Sequence, residues 1–63
     1  MITVMEFCNL IPSSAIVEVY DHISNKSMYK GAYYLIPSCL FRKTITDFKI
    51  FANSDSFTYR LWV

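Results

Sequence analysis

The chain has 63 residues and a net charge of +1; hydrophobic residues make up 54% of it, while charged residues and aromatics each make up 17%. A chain this short builds one thin core, and its charged fraction falls well below the ordinary value of about 25%. Near-neutrality excludes an acidic nucleic-acid mimic and leaves little positive charge for gripping a phosphate backbone.

Thr3-Val4-Met5-Glu6 has the pattern of a capping box, with Ile2 and Phe7 at the two positions of a hydrophobic staple. Val4, Phe7, Cys8 and Ile11 then share one face of a helix that Pro12 ends after about two turns. Such a short helix is not stable alone and has to lean on a sheet. From Ala15 to Asp21 the period changes to two, with Ala15, Val17 and Val19 on one side and Ile16, Glu18 and Tyr20 on the other. A turn with Ser24-Asn25 at its tip leads to a returning strand from Met28 to Tyr34. In that strand Tyr29 and Tyr33 are expected inside. Gly31, the single glycine, marks a bulge or a close approach of backbone.

Pro37 opens a short helical turn that carries Cys39, Leu40 and Phe41 and ends at Arg42-Lys43. Two further strands are predicted, Thr44–Ala52 and Phe57–Val63, joined by the turn cluster Asn53-Ser54-Asp55-Ser56. In the first, Thr46, Phe48, Ile50 and Ala52 face inward and Ile45, Asp47, Lys49 and Phe51 outward. In the second, Phe57, Tyr59, Leu61 and Val63 alternate with Thr58, Arg60 and Trp62. No repeat, low-complexity tract or linker interrupts residues 1–63, which read as a single domain. The expected fold is α+β: two layers, with a four-stranded antiparallel sheet in two hairpins and both helices on one face, in the order α-β-β-α-β-β. Its inner layer is Val17, Val19, Tyr29, Tyr33, Phe48, Ile50, Tyr59 and Leu61, packed against Phe7, Ile11, Leu40 and Phe41.

Little in the chain suits catalysis. His22 is the single histidine, lies in a turn, and has no nucleophile placed beside it by sequence. Cys8 and Cys39 are far apart and sit in apolar helical segments, as two reduced, buried thiols would. With one histidine they make a poor metal set, and one glycine makes no phosphate loop. No catalytic residue, metal ligand or cofactor is assigned, and a non-enzyme is expected. The first basic residue is Lys26, which leaves no basic region ahead of an apolar leader. No apolar run reaches the roughly 18 residues of a membrane span, so a cytoplasmic location away from membranes is expected.

The outer sheet face is more informative. Ile16, Tyr20, Ile45, Lys49, Phe51, Arg60 and Trp62 are predicted to project there, on a side that is normally polar. Trp, Tyr and Arg are residue types that anchor interfaces, so these seven are the candidate protein-contact residues, for a different protein or for a homodimer. The competing reading is that the rings cover one another across strands. Aromatics beside Lys49 and Arg60 also fit a single-strand nucleic-acid platform, against which the near-neutral charge argues.

The runs Val17-Glu18-Val19-Tyr20-Asp21, Met28-Tyr29-Lys30-Gly31 and Ile36-Pro37 resemble the small accessory proteins of bacteriophages and mobile elements of Gram-positive bacteria. Leu40-Phe41-Arg42-Lys43 replaces a more acidic segment, and Tyr33-Tyr34 is unusually aromatic for that pattern. The resemblance implies no catalytic residues. It implies a phage accessory gene whose product inhibits a host defence protein, a CRISPR effector among the candidates. A nucleic-acid-binding accessory protein that uses Lys30, Arg42, Lys43, Lys49 and Arg60 is the alternative.

Overall fold

A computed structural model describes residues 2–52 and 56–63. Its elements are α1 (Val4–Cys8), β1 (Ile16–Tyr20), β2 (Ser27–Ala32), a 3-10 turn (Tyr33–Leu35), α2 (Ser38–Phe41), β3 (Asp47–Ala52) and β4 (Phe57–Trp62). The fold is α+β with a four-stranded sheet and two short helices, as the periodicities indicate. The predicted turn at Asn53-Ser54-Asp55 lies outside the described residues.

The local signals act as the sequence suggests. The Thr3 hydroxyl accepts from the Glu6 amide at 3.3 Å, and the Glu6 carboxylate accepts from the Thr3 amide at 3.0 Å, closing the capping box. Asn25 takes the left-handed conformation at the hairpin tip (φ 58°), and its amide donates to the Asp21 carbonyl at 2.7 Å. Gly31 has φ 151°, and a Cβ there would stand 2.9 Å from the Tyr29 hydroxyl. That hydroxyl donates to the Ala32 carbonyl at 2.6 Å, which lays the tyrosine ring across the glycine. At that φ any L side chain is strained, and a Cβ would also push the tyrosine hydroxyl aside, so both the backbone and the close approach favour glycine.

The sheet itself differs from expectation. Its order is β2-β1-β4-β3, and the two central strands, β1 and β4, are parallel, so it is mixed and not purely antiparallel. Within each hairpin the pairing is antiparallel. The cause is the segment from residue 33 to residue 46. A chain that turned straight from β2 into β3 would reverse; this one returns across the helix face, burying Ile36, Leu40 and Ile45, so β3 starts in the same direction as β2. The second hairpin therefore presents β4 alongside β1.

The core lies over that central pair. Val4, Val17, Val19 and Leu61 are fully buried, and Cys8, Ile36, Leu40, Ile45 and Val63 complete the cluster. Phe7, Ile11, Tyr29, Tyr33 and Phe41 pack around it. Phe48 and Ile50, expected inside, share the helix-side face but remain 50% and 54% exposed. A helix of five residues is roughly 7.5 Å long, whereas four strands at about 4.8 Å spacing span roughly 14 Å. The roof is too short for the floor, and β3 is the strand left uncovered.

Candidate functional site

The outer face is organised around Arg60. Register places it between Glu18 on β1 and Lys49 on β3. Its Nε donates to Glu18 Oε1 at 2.9 Å, and its guanidinium lies 4.9 Å from the ring centres of both Tyr20 and Phe51 and 6.0 Å from that of Trp62. Glu18 is only 6% exposed and is approached at 3.8 Å by Lys30 Nζ as well. Tyr20 and Trp62 contact each other at 5.9 Å, and the Trp62 indole N–H donates to Asn25 Oδ1 at 2.9 Å. Thus the face holds a buried carboxylate, a cation stacked over it, and rings around the cation.

Of the predicted contact residues, Tyr20, Phe51, Arg60 and Trp62 come together in this cluster. Lys49 stands beside it, exposed and opposite Arg60, and Ile16 lies at the far end of the face, half-buried opposite Thr58. Ile45 is not on this face. It is buried at 8% exposure in the core. Strict alternation back from Asp47 breaks at Thr46, whose amide and hydroxyl both donate to the Trp62 carbonyl. The preceding residues pair instead with the N-terminal segment: Thr44 bridges Thr3, and the Ile45 amide donates to Ile2. One residue of slip turns the side chain to the opposite face.

The helix-side face of β3 supplies a second surface, which the sequence pattern assigns to the core. Phe48, Ile50 and, across from Ala52, Phe57 are each about half exposed. Phe7 continues the patch, its ring 5.8 Å from Phe48 and 5.6 Å from Tyr59. At the start of the strand Ile2, Phe7, Ile45, Thr46, Asp47 and Phe48 line an open groove of about 240 Å³. That is below the roughly 300 Å³ at which small-molecule sites begin. All six residues of β3 are exposed, although half are large and apolar. No feature of β3 alone announces this; the signal available in sequence is the brevity of the helices.

The remaining chemistry-bearing residues are dispersed. His22 is exposed, and its Nδ1 and its amide lie 2.7 and 2.9 Å from the Val63 main-chain oxygen, which ties the hairpin loop to the end of β4. Cys8 is buried, and burial pushes its thiol pKa up. Cys39 is exposed, contrary to expectation, because α2 turns Leu40 inward and presents its neighbour to solvent. Among the described residues no three His, Cys, Asp or Glu side chains gather as a metal site, and no helix is long and apolar enough to cross a membrane. Comparison of the chain with protein-family models, with curated proteins and with solved structures gives no match in any of the three.

Proposed function

We propose that the chain is a non-enzymatic protein-interaction module that accepts an extended strand of a protein partner along β3. The observation that carries this reading is the exposure of all six residues of an outermost strand rich in large apolar side chains. In strand addition the backbone supplies the hydrogen bonds, and alternate side chains supply specificity. The resemblance to phage accessory proteins favours a setting in which the partner is a host defence protein, inhibited by occupation. The nucleic-acid reading is weakened by the state of Arg60, whose charge is answered by Glu18 on a chain of net charge +1.

A photo-crosslinking residue at Ile50, compared with one at Met28 on the opposite edge strand and one at Tyr20 on the outer face, tests the proposal in cells producing the chain. Cross-linked protein is expected from Ile50 and not from Met28. Cross-links confined to Tyr20 or Met28 overturn it. So does tight retention on single-stranded DNA that weakens steeply with salt.

A further inference from the structure

We infer that the strand taken up by β3 is β3 of a second copy of the chain, paired antiparallel with Ile50 on a two-fold axis. This rests on the strand-addition reading and names its occupant.

The two edges of the sheet are not equivalent. β2 is guarded: its register with β1 shifts between Val19 and Tyr20, and Gly31, with φ 151°, interrupts its extended backbone. β3 pairs with β4 in unbroken register from Asp47 to Ala52 and offers Phe48, Ile50 and Ala52 on one face. Natural proteins blunt edges with shifts, prolines and charges. Each edge here carries a lysine, Lys30 in β2 and Lys49 in β3. What sets β3 apart is its unbroken ladder and the apolar row Phe48, Ile50 and Ala52 on one face, which leave it open to a further strand.

The orientation of the free groups follows from one hydrogen bond. The Phe48 amide donates to its neighbour's Asp47 Oδ1 at 2.8 Å, so it points away from β4. By alternation the main-chain groups of Ile50 and Ala52 point the same way. A two-fold axis normal to the sheet keeps each face on its own side, so only residues of like parity meet. Three registers then use these groups: centring on Lys49 or on Phe51 pairs only two of the three residues in each copy, whereas centring on Ile50 pairs all three. Centring on Lys49 sets that lysine against its own copy at a non-hydrogen-bonded position, where facing Cα atoms are only about 4.5 Å apart. Centring on Ile50 joins the two Ile50 residues through both of their hydrogen bonds and sets Phe48 against Ala52 of the second copy. On the outer face it brings Lys49 to Phe51 of the second copy, a ring that Arg60 of its own chain already stacks at 4.9 Å. The Ile50 register brings Lys49 near that arginine but sets no lysine directly against its own copy, and it engages all three outward residues; a net charge of +1 adds little repulsion between copies.

Asp47 competes with the ladder by holding the Phe48 amide, so its removal should strengthen association. The test is sedimentation equilibrium on the whole chain over a wide concentration range. It is joined to an isotope-filtered NMR search for an intermolecular Hα–Hα contact between Lys49 and Phe51, and folding of each variant is checked by circular dichroism. A concentration-dependent dimer with that contact is expected. Ile50→Lys should weaken it at least tenfold, Asp47→Ala should tighten it, and Met28→Lys should leave it unchanged. An intermolecular Hα–Hα contact of Lys49 with its own copy in place of that with Phe51 assigns the Lys49 register and overturns the Ile50 axis. A dimer indifferent to Ile50→Lys overturns the β3 interface. A strict monomer that still cross-links a foreign protein from Ile50 overturns the second copy and leaves strand addition standing; a monomer with no cross-link there overturns both.

Discussion

β1 and β3 are written in nearly the same pattern and have opposite fates. Ile16-Val17-Glu18-Val19-Tyr20 alternates around one charge, and Asp47-Phe48-Lys49-Ile50-Phe51-Ala52 alternates around two. In β1 the three middle residues are buried; in β3 all six are exposed. Position decides the difference. β1 is flanked on both sides by strands and roofed by the helices, and even its glutamate is buried on the far face under Arg60. β3 has β4 on one side only, and α1 reaches it through the Phe7 ring alone, 5.8 Å from Phe48, which leaves both Phe48 and Ile50 half exposed. Alternation specifies which side chains share a face, and sheet order specifies whether that face is covered.

The largest break in this comparison comes from the centre. Leu61 on β4 is fully buried among Val4, Val17 and Val19. Leu61→Ala should cost about 2–5 kcal/mol. A 63-residue domain has roughly 3–9 kcal/mol in all, so the variant should lose a large share of its stability, read as a lowered midpoint in thermal or urea denaturation. A loss below about 1 kcal/mol would mean that the central pair is not the core.

Much of this architecture is legible in the chain, and the failures share one origin. The capping box, the Asn25 turn, the strand phases around Val17 and Tyr59 and the demand for glycine at residue 31 are all local, set by neighbours a few residues away. The parallel pairing of β1 with β4 is not local, because it depends on the path of residues 33–46 across the helix face. A period extended through Thr46, whose amide turns to Trp62, puts Ile45 on the wrong face, and a four-residue helix read as apolar all round puts Cys39 inside. For the outer site, alternation correctly groups Tyr20, Phe51, Arg60 and Trp62. It does not reveal that they would close over Glu18, nor that Phe48 and Ile50 would be the rings and branches left uncovered.

The next effect tests whether the buried side of β1 depends on the outer cluster. Arg60→Met keeps the bulk of the side chain and strips Glu18 of its 2.9 Å partner, leaving the exposed Lys30 at 3.8 Å. The expected cost is about 1–3 kcal/mol, that of a buried acceptor deprived of its charged donor. Adding Glu18→Gln should restore part of it, as a double-mutant cycle by urea denaturation would measure. Independence of the two changes would remove the pair from the account of β1's burial.

A smaller change acts through α1, the roof that ends short of β3. Thr3→Ala removes the cap and should cost about 1 kcal/mol. It should also alter the response to acid. Hydrogen bonds from the Thr3 amide and hydroxyl hold the Glu6 carboxyl below its ordinary pKa, and the Ile23 amide and Ser24 hydroxyl do the same for Asp21. Folded-state pKa values below the unfolded ones contribute stability that is present above the unfolded pKa and is lost as pH falls through the folded one. Denaturation between pH 7 and pH 2 should therefore show an acid limb, shallower in Thr3→Ala and still present because Asp21 is untouched. An acid limb of unchanged depth would separate Glu6 from the cap.

The smallest effect belongs to β3, and it carries the sharpest form of the contrast. Ile50 is 54% exposed, so Ile50→Ala in dilute solution leaves no sealed cavity and should cost about 0.5 kcal/mol or less. The same loss of side chain at a buried position costs about 2–5 kcal/mol. A dilute-solution cost comparable to that of Leu61→Ala would erase the distinction between the strands. Concentration then separates exposure from use. Pairing stabilises only the folded chain, so mass action should raise the wild type's midpoint as protein concentration rises, and Ile50→Ala should gain less. A gap between the two that widens with concentration means that the apolar side chains of β3 are buried in an assembly instead of in the fold.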